Sequence, residues 1–254
     1  MKRILLIVTA VAVVMAMSVP AWAGTNPDCV FALHAKAHTT KATTICTTWS
    51  PNSGTPIPCT NFNTSWPTNL GSDVYLVIAR GSTTVQEGWG LAGASCGIYY
   101  NNAVGIGVDV FGWNLCADLE FTNGNTTCPP DVPPCEWPIS GGGNRITWVM
   151  TTNCQQTIAG TDGVHAVAGA FYLYAYTPDV FYLTHNRNLQ IPELAVANCK
   201  ASTDLLPFLR AGAVSFSASG TELGCNPCTE LDWECPAPVP VKETTWGKLK
   251  THYR

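Results

Sequence analysis

Charge is scarce in this chain. Asp, Glu, Lys and Arg make up 12% of its 254 residues, and the formal net charge is −4. A nucleic-acid partner would need a basic face, and none is present. Long apolar runs are missing too. The single extended one, Ile4 to Met17, is short for a membrane span of about 20 residues, so the processed chain is expected to be soluble. Helical periodicity is almost absent. Ser202 to Arg210 alone has a helical flavour, and Pro207 keeps it short.

What is present begins with an export leader over residues 1–23. Lys2 and Arg3 form a positive start, Ile4 to Met17 an uncharged apolar stretch, and Ala21-Trp22-Ala23 a small-residue cleavage site. Cleavage after Ala23 leaves Gly24 first and lowers the formal charge from −4 to −6. No Cys follows the cleavage site closely enough for lipid attachment. All 12 Cys lie beyond the leader, and the number is even. In an exported chain that pattern reads as disulfides before metal. Cys116 with Cys154 is one expected pair, since each ends a candidate strand near a Trp.

Gly163 to Thr184 carries the clearest pattern. Ala166, Ala168, Ala170, Tyr172, Tyr174 and Tyr176 alternate with Val167, Gly169, Phe171, Leu173 and Ala175, which is the period of a two-faced strand. Thr177-Pro178-Asp179 turns the chain, and Val180 to Thr184 resumes the alternation. Similar runs occur at Cys29–Ala37, Val74–Ala79, Leu91–Asn101, Ile106–Leu119, Arg145–Met150, Leu194–Asn198 and Ala213–Ser217. Many short strands between Gly, Pro and Asn turns define an all-β sandwich or barrel. The expected organisation is a leader at 1–23 and a Cys-containing N-terminal segment at 24–70. A β-sandwich at 71–220, a Cys/Pro-rich linker at 221–241 and a basic aromatic tail at 242–254 follow.

The succession VYLVIA, LAGASCGIYY, GVDVFGWNLCADLEF and HAVAGAFYLYAY, over roughly 71–218, resembles the strand order of cohesin-like β-sandwich modules. It is also similar to secreted bacterial proteins that carry GVDVFGW, NRITW and a TTWGKLKTHYR-type tail, a group with no assigned activity. The resemblance implies an immunoglobulin/cohesin-like sandwich. Cohesins bind dockerin partners; this chain has no dockerin-type repeat or EF-hand loop of its own.

Several motifs suggest chemistry, and each has a plainer structural explanation. Gly93-Ala-Ser-Cys-Gly97 matches the nucleophile elbow G-x-S-x-G, with His165 and His185 downstream, but strand residues follow it where an elbow opens a helix. His34 and His38 share a strand face about 13 Å apart, too far for one metal ion. Cys225-Asn-Pro-Cys228 has redox spacing but no βαβ unit around it, so structural disulfides are expected. Glu87, Asp109, Asp118 and Glu120 lie near Trp89 and Trp113 as carboxylates of the kind a glycosidase pairs. Trp89, Trp113, Trp148 and the row Tyr172, Tyr174, Tyr176 offer flat surfaces for stacking on sugars. The tyrosines are expected on the sheet face opposite Phe171 and Leu173. No metal or cofactor is called for.

The expected role is extracellular binding or assembly without catalysis, on a protein or carbohydrate surface. Sugar binding through aromatics and a hydrolase with an unrecognised site are the alternatives. The tail is a separate case. Alternate prolines from Pro236 to Pro240 favour an extended spacer. Beyond them Lys242, Lys248, Lys250 and Arg254 face only Glu243, a formal +3 on a body of −9. Trp246, Leu249 and Tyr253 share one helical side. We read Trp246, Lys248, Lys250, Tyr253 and Arg254 as recognised by a secretion or surface-attachment partner. Deleting Glu243 to Arg254 is expected to abolish surface retention and leave the melting curve intact. Unchanged location removes the idea, and a lowered melting temperature points to docking on the body.

Overall fold

A computed structural model of the chain describes residues 24–38, 45–46, 57–82, 90–101, 103–122, 136–187, 189, 192–230 and 235. The expected leader at 1–23, the expected tail at 242–254, Glu87, Trp89, Cys128 and Cys135 lie outside the described residues. The described strands are β1 (Val30–Ala37), β2 (Ser65–Pro67), β3 (Gly71–Ala79), β4 (Leu91–Tyr99), β5 (Val108–Leu115) and β6 (Leu119–Phe121). They continue as β7 (Gly143–Thr147), β8 (Val164–Ala175), β9 (Asp179–Thr184), β10 (Ala195–Asn198), β11 (Thr203–Leu205) and β12 (Ala213–Ser217). The helical pattern expected at Ser202–Arg210 is not realised as an α-helix. It splits at Pro207 into β11 and a single 3-10 turn, Phe208–Arg210. β7 stops before Met150 because the Val149 carbonyl accepts from Thr152 and Asn153 and turns the chain.

The chain forms a two-sheet sandwich. The first sheet is β1-β3-β8-β5, antiparallel throughout. The second is built on β4. β7 and then β6 lie along one side of it. Along the other side β9 and β10 follow one another, Tyr182–Thr184 opposite Tyr99–Gly97 and Ala195–Ala197 opposite Ser95–Gly93. They are two halves of one line, broken by an excursion that the Asn186–Glu193 bridge closes. β12 and then β2 extend from β9, and β11 extends from β10. The segment before Gly71 thus supplies a strand to each sheet. Phe31, Leu33, Leu76, Ile78, Phe171 and Leu173 from the first sheet meet Ile98, Ile146, Phe181, Leu183, Val214 and Phe216 from the second, all fully buried. Each such side chain contributes about 1.5–3 kcal/mol through burial.

The alternation in β8 does not run unbroken, as the period-two reading had it. Leu76 pairs with Gly169 but Val77 with Val167, so Ala168 is an extra residue; a second slip leaves His165 extra. Each bulge changes which parity faces inward. Ala166 and Ala168 line the interior on one side of the bulge, and Phe171, Leu173 and Ala175 on the other, while Ala170 points outward. The tyrosine half keeps the expected facing: Phe171 and Leu173 are fully buried, Tyr172 and Tyr174 are half-buried and Tyr176 is exposed. Gly169 has a packing reason. The Trp113 indole lies on it, and a Cβ there would overlap the ring and the Asn114 carbonyl.

Disulfides join Cys46 to Cys116, Cys59 to Cys228, Cys154 to Cys199 and Cys225 to Cys235. The expected Cys116–Cys154 pair is therefore wrong. Cys116 ends β5 in the first sheet, its amide bonded to the Ala168 carbonyl. Cys154 lies beside the start of β4 in the second sheet, where Gln155 bridges Leu91. Similar strand ends in sequence belong to opposite layers. Cys29 and Cys96 are free and buried in the core, so pairing is not complete among the described cysteines. Burial pushes the Cys96 thiol up to about 12 and raises the Cys29 thiol further, with Asp204 and Asp28 adding to it. Both are inert at neutral pH.

The contact between Trp113 and Gly169 generates a test. Gly169→Ala is expected to destabilise by about 1–3 kcal/mol through overpacking. In a Trp113→Leu background the same change should cost much less. Equal cost in both backgrounds, read from urea midpoints, places the strain elsewhere.

Candidate functional site

The outer face of the first sheet is divided. Paired residues across its strands form rows that share one side. The row His34, Tyr75, Ala170, Asn114 and the rows beyond it, with Val77 and Ala79, are covered. Ile45, Cys59, Phe62 and Cys228 pack on them as a second small core. The Cys46–Cys116 bond ties that cover to the sandwich, and the Cys59–Cys228 bond joins its two parts. The Tyr75 hydroxyl donates to the Ile45 carbonyl at 3.1 Å, and His34 Nδ1 accepts the Asn63 amide at 3.0 Å.

The two remaining rows carry the tyrosines. Tyr172 lies between Asp73 and Gly112, and Tyr174 between Gly71 and Asp109. Glycines on either flank leave the rings room to lie over the sheet. A Cβ at Gly71 would stand 3.3 Å from Tyr172 Cε2, and Gly112 faces open space. Tyr172 stacks on His38 with centroids 4.1 Å apart and planes at 26°. Phe111, the extra residue of a bulge in β5, flanks Tyr172 at 5.6 Å and is 57% exposed. Tyr174 meets Tyr176 at 4.8 Å. Asp73, itself buried, accepts from His38 Nδ1 at 2.8 Å and holds the imidazole against the ring. The result is an aromatic strip, His38–Tyr172–Phe111 beside Tyr174–Tyr176, with Asp109 within it and the exposed turn residues Val104 and Ile106 on the segment bonded to Tyr176.

Of the residues proposed from sequence, Tyr172, Tyr174 and Tyr176 come together here. Trp113 does not join them. It points into the sandwich, in contact with Phe171 at 4.5 Å and Trp137 at 5.1 Å, and its Nε1 donates to Glu120 at 2.9 Å. The β5 bulge at Phe111 sets this parity and brings Phe111 out. Trp89, Trp246, Lys248, Lys250, Tyr253 and Arg254 lie outside the described residues. His38, Asp73 and Phe111 were not singled out as binding residues. The shared strand face of His34 and His38 was legible, but its pairing across β3 to Tyr172 was not.

The catalytic candidates have structural occupations. Ser95 sits in mid-strand, and its Oγ accepts from Asn186 Nδ2 at 3.2 Å. His165 instead meets Thr157 Oγ1 at 3.0 Å, and His185 packs on Phe208. Ser95 lines a shallow trough of about 200 Å³ with Gly93, Thr147 and the Arg145–Glu193 ion pair. Asp118 accepts the Val149 amide and holds Asn153. Glu120 takes both Trp113 and Asn144. Cys225 and Cys228 bond to Cys235 and Cys59, not to each other. Among the described residues no three His, Cys, Asp or Glu side chains are grouped to hold a metal.

No protein-family profile matches the chain, and no curated protein does. Among solved structures it is similar to a cohesin module from a Clostridium perfringens family 33 glycoside hydrolase. That likeness covers 74% of this chain and 97% of the module, at 11% identity and a TM-score of 0.37. The sandwich assignment rests on the sheets described above. Among the described residues, no helix is long and apolar enough to cross a membrane.

The cover buries His34 and stops short of His38. Burial, with help from Lys36, pushes His34 down from 6.5 to about 4. A folded value below the unfolded one means the stability contributed by neutral His34 is full above pH 6.5. It is lost as pH falls toward 4, by about 3 kcal/mol. His34→Gln is expected to flatten that acid limb in urea midpoints measured from pH 7 to 4. His165, lowered mainly by burial, leaves a residual slope. An unchanged limb assigns the titration to another group.

Proposed function

We propose that this is a secreted, disulfide-stabilised β-sandwich that binds an extracellular partner through the tyrosine-bearing outer face of its first sheet and performs no chemistry itself. One observation carries the reading: half of that face is covered and stapled, while the other half presents His38, Phe111, Tyr172, Tyr174 and Tyr176 as a strip on a rigid sheet. Flat aromatics bury large areas with little rotamer entropy lost, and strands hold them more firmly than loops do. Four disulfides among the described residues fit an oxidising compartment, in keeping with the expected leader.

A carbohydrate surface is the second reading. Asp109 beside Tyr174 supplies the kind of acceptor that sugar hydroxyls bond between stacking rings. The experiment uses the processed chain on native envelope material, on purified envelope polysaccharide and in a protein pull-down. Tyr172→Ala with Tyr176→Ala is expected to reduce retention at least tenfold while the melting temperature stays within a few degrees. Leu173→Ala serves as the folding control, at about 2–5 kcal/mol lost. Retention equal to wild type removes the face as the site. Retention on polysaccharide alone selects the sugar reading, and capture of one protein selects assembly.

A further inference from the structure

Gly24 lies against the carboxylate of Asp204. A Cβ at Gly24 would overlap both carboxylate oxygens and their carbon, so any other residue would have to push the carboxylate aside. Standard bond lengths then place the Gly24 backbone nitrogen within about 5 Å of that carboxylate. Asp204 belongs to β11 and is buried. Its Oδ2 accepts the Asn26 amide at 2.8 Å, and among the described residues it forms no ion pair. A buried carboxylate with one neutral donor lacks a countercharge.

The backbone here is held from several sides. Asn26 Nδ2 donates to the Gly90 carbonyl at 3.1 Å, and its Oδ1 accepts the Ser82 amide at 2.9 Å. Thr25 Oγ1 accepts from Asn198 at 3.1 Å. The ionisable groups around it are few. Asp28 and Arg210 pair with each other at 3.7 Å. The Cys29 thiol is kept protonated by burial and by Asp204 and Asp28. His165 packs near Asn26 beside Gly81 and is lowered by burial.

We propose that leader removal completes this site: the α-ammonium released at Gly24 pairs with the Asp204 carboxylate and locks the new terminus into the fold. This rests on cleavage after Ala23. Water, with an export peptidase as catalyst, hydrolyses the Ala23–Gly24 amide. The C–N bond breaks, the carboxylate stays on Ala23, and the amine on Gly24 takes up a proton. An unperturbed α-amino group has a pKa of about 7.7–8.0, and a neighbouring carboxylate raises it. The folded value then exceeds the unfolded one. The added stability is full below about pH 7.7 and is lost as pH rises through the folded value.

Intact mass of the exported protein is expected to begin at Gly24; any other terminus overturns the proposal. The oxidised mature chain is then compared with the same chain retaining Ala23. At pH 6 the Gly24 form is expected to melt higher by about 2–4 °C, the shift that a single modest interaction gives at this size. The gap should close by pH 10 and be absent when both forms carry Asp204→Asn. No gap at any pH, or one that persists at pH 10 or in Asp204→Asn, overturns it. Should Asp204→Asn not fold, titration of the Gly24 amine in the native chain decides. A pKa above 8 supports the pairing, and one of about 7.7–8.0 refutes it.

Discussion

The sandwich depends on the close approach of the Trp113 indole to the bare backbone of Gly169. That contact sits where β8 changes parity. On one side of it β8 sends Ala166 and Ala168 inward, and on the other Phe171 and Leu173. A side chain at 169 would lift the indole off Phe171 and Trp137, and with it the cluster that joins β5 and β8 to Phe181 of the second sheet. The outward tyrosines follow from the same arrangement. They point away from the core because Phe171 and Leu173 fill it. The tyrosine face and the core are therefore set by one register, and a slip of one residue would exchange them.

The cover on the first sheet does a second job by stopping where it does. Its residues are Ile45, Cys59 and Phe62 on one side and Cys228 on the other, far apart in sequence. They bury Tyr75 and His34 and leave His38, four residues further on and just past the end of β1, at the margin. Asp73 then fixes the His38 ring on Tyr172. An imidazole that would otherwise sample many orientations becomes part of a flat surface, which would lower the entropy lost by anything docking there.

The strands were readable because period two is a local property. Val74–Ala79, Leu91–Tyr99 and Val164–Ala175 all declare themselves over a few residues, and Pro207 broke the one helical pattern as its chemistry requires. The bulges at Phe111, Ala168 and His165 were not readable, because an extra residue is defined only against its partner strand. That is why Trp113 was grouped with the tyrosines and Phe111 was not. Disulfide partners were hidden for a similar reason. Cys116 and Cys154 look alike as strand ends, and only the layer each belongs to separates them. The candidate face was half legible: its tyrosines stand in one strand, whereas His38 and Asp73 reach it through pairings between β1, β3 and β8.

The Cys59–Cys228 bond spans 169 residues and encloses every described strand from β2 to β12. Tension applied along the chain from its two ends would cross the molecule through that sulfur bridge. The enclosed strands would be shielded from the load, and only the chain before Cys59 and after Cys228 could lengthen. β1 is the one described strand in the loaded path. It lies antiparallel on β3 over its whole length, so it would part from its neighbour under force while the rest of the sandwich, with the tyrosine row on β8, stayed folded. Pulled in this way, the chain would carry a mechanical fuse of defined length.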